Sequence, residues 1–235
     1  RGSTARASGV KAGTLQPRPD MDTLPFRNAE DVERALPRVL DHLRAGGVVA
    51  YPTETVYGLG CALESDALAR LSALKHRDPR KPFLLLIAEP GHAPGLEWTP
   101  LARRLAETFW PGPLTLALAS EADAFPTEVR SADGTVAVRA TSHPGMRRVL
   151  QALGAPITST SANEPGQAAA LDAGGAARAV ERLGGTGILI LDGGPLPPTP
   201  SSTVVDASRV PPRVVREGAV SLTALRTAIG EVDEG

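Results

Sequence analysis

Four cations in seven residues, Lys75, Arg77, Arg80 and Lys81, form the cluster in this chain best suited to meeting an anion. Pro79 and Pro82 restrict the backbone around them, and a stiff basic segment suits a polyphosphate better than a flexible one. Upstream, residues 51–60 read Tyr-Pro-Thr-Glu-Thr-Val-Tyr-Gly-Leu-Gly, so that Thr53, Glu54 and Thr55 follow an apolar run. Downstream, Arg139 ends Thr-Val-Ala-Val-Arg, and residues 156–163 lead an apolar start into Ser159, Ser161 and Asn163. Ser202 opens a further hydroxyl-to-apolar run, and Arg216 closes Arg-Val-Val-Arg. A guanidinium offers a planar fork of donors to carboxylate or phosphate, and hydroxyls both donate and accept. Each segment alone also has an ordinary reading, as turn chemistry, as cations complementing a helix C-terminus or as surface charge. Their recurrence beside strand patterns points to a cleft.

The elements that would hold these groups are legible from apolar spacing. Helical periodicity marks residues 29–45, 66–74, 100–109, 143–153, 172–183 and 222–229. Apolar runs mark strands at 48–51, 83–88, 114–119 and 135–139, from 156, at 187–191, and near Thr203 and Val214. Residues 52–60 read as a polar loop, with Pro52 stopping the ladder and Gly58 and Gly60 freeing the backbone. Strands outnumber what strict β-α alternation gives, which argues for α/β, a twisted mixed sheet with helices in a single domain. Residues 1–22, poor in apolar groups, are expected to be disordered; residues 23–230 form the domain and 231–235 a tail. A Pro/Gly-rich loop at 193–200 separates two strand patterns.

Taken in order, these motifs resemble the YrdC/TsaC family of threonylcarbamoyl-AMP synthases, over about residues 28–229. The resemblance rests on Pro-Thr-Glu-Thr-Val-Tyr-Gly-Leu-Gly, Lys75-x-Arg77 with Lys81-Pro82, Trp110-Pro-Gly-Pro-Leu-Thr115, Val136-Ala-Val-Arg139 with His143-Pro144, Ser161-Ala-Asn163, and Ser202-Thr-Val-Val-Asp206 with Arg216. It implies an open sheet with a positively charged concave cleft. It implies a nucleotidyltransferase that converts L-threonine, bicarbonate or CO2 and ATP into threonylcarbamoyl-AMP and diphosphate, for threonylcarbamoyladenosine modification of tRNA. By that resemblance Lys75, Arg77 and Lys81 do the catalytic work. Arg77, Lys81, Thr135, Ser161, Asn163 and Arg216 meet ATP; Thr53, Arg139, Ser159 and Ser202 meet threonine, with Ser159 also among the hydroxyls facing the adenylate. Mg2+ comes in with ATP, with no metal ligands from protein side chains. Partners are the tRNA-modification proteins that accept the adenylate, with tRNA itself as a weak ligand and no membrane.

Three departures mark this chain. Thr141 stands where the family often has Pro, Glu164-Pro165-Gly166 follows Ser161-Ala-Asn163, and Ala169 replaces a hydroxyl of some members. Leu86, where some members place a His, reads as a core residue. Alternatives within the fold are a YciO-like or carbamoyl-adenylating relative, and from another class an RNA-binding module using the same basic cleft.

Composition narrows the field further. A net charge of −1 disfavours a dedicated nucleic-acid binder and favours a small anionic substrate met by local cations. The single Cys61 has no internal partner, no Cys/His spacing suggests zinc, and no stretch is apolar enough to span a bilayer, so a cytoplasmic location is expected. Neither GxGxxG nor GxxxxGK[ST] occurs, so a nucleotide would be held in an open charged cleft. The four histidines read as surface or cap residues, and Trp98 and Trp110 as packing.

Overall fold

The structure, a computed structural model, describes residues 21–234; the disorder expected of residues 1–20 lies outside them. In chain order the elements are β1 (Met21–Pro25), α1 (Ala29–Arg44), β2 (Val49–Pro52), β3 (Tyr57–Gly60), α2 (Ser65–Leu74), β4 (Leu84–Ile87), α3 (Pro100–Phe109), β5 (Leu114–Ala119), β6 (Thr135–Ala140), α4 (Pro144–Leu153), β7 (Ile157–Ser161), α5 (Ala173–Arg182), β8 (Ile188–Asp192), β9 (Thr203–Asp206), β10 (Arg213–Arg216), α6 (Leu222–Ile229) and β11 (Asp233–Glu234). The strands join in one mixed sheet, ordered β1-β8-β2-β3-β7-β4-β6-β5-β9-β10-β11. Met21 and Asp22, read as unstructured, begin β1, which pairs parallel with β8. The tail at 231–235 contributes β11, paired parallel with β10.

Capping chemistry starts the helices where the sequence placed them. Asn28, Thr99, His143, Asp172 and Ser221 each accept a backbone N–H of the first turn of α1, α3, α4, α5 and α6. His143, read as a surface or cap residue, is therefore a cap.

Residues 52–60 differ from their reading as a loop. Pro52 ends β2 opposite Tyr57, and β3 returns antiparallel along β2 as a fully buried strand. The glycines permit close approach here instead of freeing the backbone. A Cβ on Gly60 would lie 2.0 Å from the Thr158 carbonyl oxygen of β7, so only glycine lets these strands pack. Gly60→Ala is therefore expected to destabilise by about 1–3 kcal/mol through overpacking, seen as a lower thermal unfolding midpoint. An unchanged midpoint would show that the strands have room to part.

Two apolar layers flank the sheet. One, against α2, α3, α5 and α6, takes Leu85, Ile87, Val136, Val138, Leu114, Leu116 and Leu118. The other, against α1 and α4, takes Tyr51, Leu86, Ile157, Leu189 and Leu191. Strand alternation carries this second face past the helices: Leu86 pairs with Ile157 and Arg139, while Leu84 pairs with Ser159. Two helices cover only part of that face, and the remainder is polar. Leu86 is fully buried, as its reading as a core residue required.

Candidate active site

The uncovered stretch of sheet holds a cavity of about 450 Å3. The sheet lines it with Thr115 on β5, Ala137 and Arg139 on β6, Ser159 and Ser161 on β7, and Val204 on β9; Thr53, Thr55, Arg77, Ser202 and Arg216 line it further. Residues two apart on a strand share a face, so Ala137 with Arg139 and Ser159 with Ser161 arrive together by pleat alone. Three arginines and no carboxylate are among the lining residues.

Each arginine is held differently. Arg77, beyond the end of α2, donates to the carbonyls of Lys81 and Pro82, both at 2.6 Å, and to Thr160 Oγ1 at 3.4 Å. Its guanidinium also lies 4.5 Å from the Phe83 ring centroid, which with the carbonyls fixes the side chain before any ligand arrives. Arg139 is 5% exposed; its Nη1 donates to Thr55 Oγ1 at 3.5 Å and its Nε lies 3.6 Å from Glu54 Oε1. Arg216 donates to the Ser202 carbonyl at 2.8 Å. Burial lowers the pKa of Arg77, and burial followed by repulsion from Arg139 lowers that of Arg216. Cations held against such penalties gain most from an anionic ligand.

The hydroxyls form two sets. Thr53 Oγ1 donates to Val56 O at 2.7 Å and accepts from the backbone of Thr55 and Val56, closing the β2–β3 turn. Ser202 and Thr115 share a buried 2.9 Å hydrogen bond across β5 and β9, so Ser202 is fixed on two sides.

Among the residues singled out in the sequence, Thr53, Arg77, Arg139, Ser159, Ser161, Ser202 and Arg216 meet at this cavity. Lys75 sits behind its wall, where Nζ donates to Ser161 O at 3.0 Å, to Asn163 Oδ1 at 3.1 Å and to Asn163 O. Asn163 is one step removed, its Oδ1 accepting from Ser161 Oγ at 2.7 Å and its Nδ2 donating to Gln167 O at 2.6 Å. Lys81 is exposed and lines an adjoining groove that shares Arg77. Thr135 does not line the cavity; its hydroxyl is engaged with Ser131 and Asp133. The wall at Ala169 is apolar where a hydroxyl was sought.

The sequence motifs assigned no role of their own to Glu54, Thr55, Thr115 and Thr160. Glu54 and Thr55 lay inside a motif read as a whole, and Thr115 follows Leu114 at a position whose alternation alone would have placed it on the polar face. Trp98 and Trp110 pack edge to face with centroids 5.8 Å apart, away from the cavity. Among the described residues, no group of three or more His, Cys, Asp or Glu could hold a metal ion, and no helix is long and apolar enough to cross a membrane.

Known proteins share this fold. E. coli YciO superposes with a TM-score of 0.75 at 27% identity, over 87% of this chain and 98% of its own. The crystal structure of Pyrococcus abyssi Sua5 complexed with L-threonine superposes with a TM-score of 0.80 at 32% identity, over 92% of this chain and 62% of that one. Two curated relatives are named threonylcarbamoyl-AMP synthase. That of Pyrococcus abyssi is 36% identical over 81% of this chain and 56% of its own length, and that of Chromohalobacter salexigens is 42% identical over 64% and 80%. The chain thus spans little more than half the length of the P. abyssi relative. The Sua5_yciO_yrdC family model, described as "Telomere recombination", matches residues 41–218, a stretch from α1 to just past β10 that contains every lining residue of the cavity, and the chain belongs to that family.

Proposed function

We propose that this protein is a threonylcarbamoyl-AMP synthase, a nucleotidyltransferase acting on L-threonine, bicarbonate or CO2, and ATP in the cytoplasm, with residues 23–230 as the catalytic unit. The observation that carries the reading is the convergence of Arg77, Arg139 and Arg216 on one cavity whose lining holds no carboxylate. The names of the relatives at 36% and 42% identity support it.

In this reading the threonine carboxylate pairs with Arg139, and Thr53, Ser159 and Ser202 surround the rest of the amino acid. The triphosphate faces Arg77 and Lys81, with Lys75 nearby; Arg216 and Ser161 bind the remainder of the nucleotide, Asn163 supports Ser161 from behind, and Thr135, expected among these contacts, is left out of the set because its hydroxyl is engaged with Ser131 and Asp133 away from the cavity. Threonine's amine takes up CO2 as a carbamate. A carbamate oxygen then attacks the α-phosphorus; the new O–P bond forms as the bond to the bridging oxygen of the β-phosphate breaks, and diphosphate leaves. A carboxylate-like nucleophile needs no general base, so the protein's contribution is positioning and charge compensation. Mg2+ enters as part of the nucleotide substrate. The adenylate passes to proteins that complete the tRNA modification, and tRNA itself binds weakly at most.

The test is diphosphate release. With ATP and bicarbonate present, release is expected only when L-threonine is added. Release indifferent to threonine, or tight RNA binding without turnover, would overturn the reading.

Lys75 gives a pH prediction. Burial first, and the neighbouring Arg77 second, push its pKa down from 10.5 to about 8. Below that value three protons serve three acceptors; above it one donor and the charge are lost. Stability runs the other way. Between about pH 8 and 10.5 the unfolded chain binds more protons than the folded one, so Lys75 makes stability rise with pH across that window. The expected result is a kcat/KM for ATP that falls above about pH 8 while the Lys75 contribution to thermal stability does not fall. A flat kcat/KM through that window would remove Lys75 from the working set.

A further inference from the structure

Thr141 follows the end of β6 two residues after Arg139 and is fully buried, so its hydroxyl must find its partners within the protein. Its Oγ1 accepts from His143 N at 3.2 Å, which leaves its own proton for Glu54 Oε2, 2.5 Å away. Ser142 N donates to the same carboxylate oxygen at 3.3 Å. One oxygen of Glu54 is thus fastened to the β6–α4 turn. The other, Oε1, has no hydrogen-bond partner, is buried, and lies 3.6 Å from Arg139 Nε, which is also buried and without a partner. On the far side of that guanidinium, Nη1 has only a 3.5 Å contact with Thr55 Oγ1.

A buried carboxylate held at one oxygen and aimed at the inner nitrogen of a buried arginine restrains that arginine from behind. The terminal nitrogens are left for a ligand at the cavity. Glu54 cannot reorient without stripping Thr141 Oγ1 and Ser142 N of their acceptor, and hydrogen bonds to a charged group are each worth about 1.5–3 kcal/mol. The acid that neutralises Arg139 therefore sits where it does not compete for the edge a substrate carboxylate would use.

We propose that Thr141 is a positioning residue for amino-acid binding: its hydroxyl fixes Glu54, and Glu54 fixes the Arg139 guanidinium. The proposal rests on the assignment of Arg139 to the threonine carboxylate, and two readouts separate the failure of one from the failure of the other. The first is kinetic. Thr141→Val, which keeps the shape and removes the hydroxyl, raises the KM for L-threonine about tenfold, the lower end expected for one charge-assisted hydrogen bond. The KM for ATP and kcat stay within about twofold, and Thr141→Ser restores the threonine KM.

The second readout needs no turnover. In the unliganded protein, solvent exchange of the Arg139 Nε–H followed by NMR is slow in the unmodified chain, faster in Thr141→Val and slow again in Thr141→Ser. Should Thr141→Val not fold, Glu54→Gln replaces it and is expected to move both readouts in the same direction. Unchanged Nε–H exchange in the variant overturns the proposal whatever the enzyme does. Faster exchange with an unchanged threonine KM overturns the link to amino-acid binding and leaves Thr141 a structural residue. Absence of threonine-dependent turnover in the unmodified protein, with the exchange pattern as expected, sinks the functional assignment and retains the Thr141–Glu54–Arg139 restraint.

Discussion

Arg139→Ala is expected to raise the KM for L-threonine by about two orders of magnitude while the KM for ATP changes by less than about threefold. Removing one partner of a buried charge-assisted pair costs about 2–5 kcal/mol, and each 1.4 kcal/mol is tenfold in binding. Arg139 is 5% exposed, so little solvent is available to take over its role. Truncation also leaves Glu54 facing a void, and the protein is expected to melt earlier for that reason. The split between the two KM values separates the specific effect from the general one, because partial unfolding would weaken both substrates together. Arg139→Lys should recover only part of the loss, since an ammonium cannot offer the bidentate edge. Equal increases in both KM values would count against an anchoring role.

Arg77→Ala is expected to act on kcat, lowering it about a hundredfold or more at saturating substrates. Two like charges about 4 Å apart at a half-exposed protein site repel by about 4 kcal/mol, close to a factor of a thousand in rate if nothing offsets it. Arg77 is pre-positioned by two carbonyls and the Phe83 ring, so it stabilises developing charge without reorganising during the reaction. Arg77→Lys should fall between the two, keeping the charge and losing the tethers. A variant with normal kcat would place Arg77 outside the reacting centre and move that duty to Arg216 or Lys81.

Most of the architecture was legible in the sequence because local chemistry and tertiary demand agree. The spans of α1 and α3 and the run at β5 all follow from apolar periodicity. The strand at 57–60 was not legible, because Gly58 and Gly60 ordinarily mark turns. Their use here depends on Tyr51 and Thr158, which lie on β2 and β7 and reach the glycines only in the folded sheet. The site was legible as a set of motifs and not as a geometry. Arg77, Arg139 and Arg216 converge as the motifs suggested, yet no periodicity could reveal that Lys75 points into the Ser161–Asn163 segment. Nor could it show that Thr53 spends its hydroxyl on its own turn, or that Thr141 holds Glu54. Those facts come from pairings across 86 or 87 residues of chain in two of the three cases, which single-sequence spacing does not encode.

The central claim is that one open face of the sheet brings a threonine carboxylate and an adenine nucleotide together through separate arginines. A crystal structure of this protein with L-threonine and a non-hydrolysable ATP analogue tests it most directly. The account predicts both molecules in the 450 Å3 cavity, the amino-acid carboxylate on Arg139 and the phosphates on Arg77. Either molecule bound elsewhere, or the phosphates on Arg139 with threonine remote from it, would contradict the account.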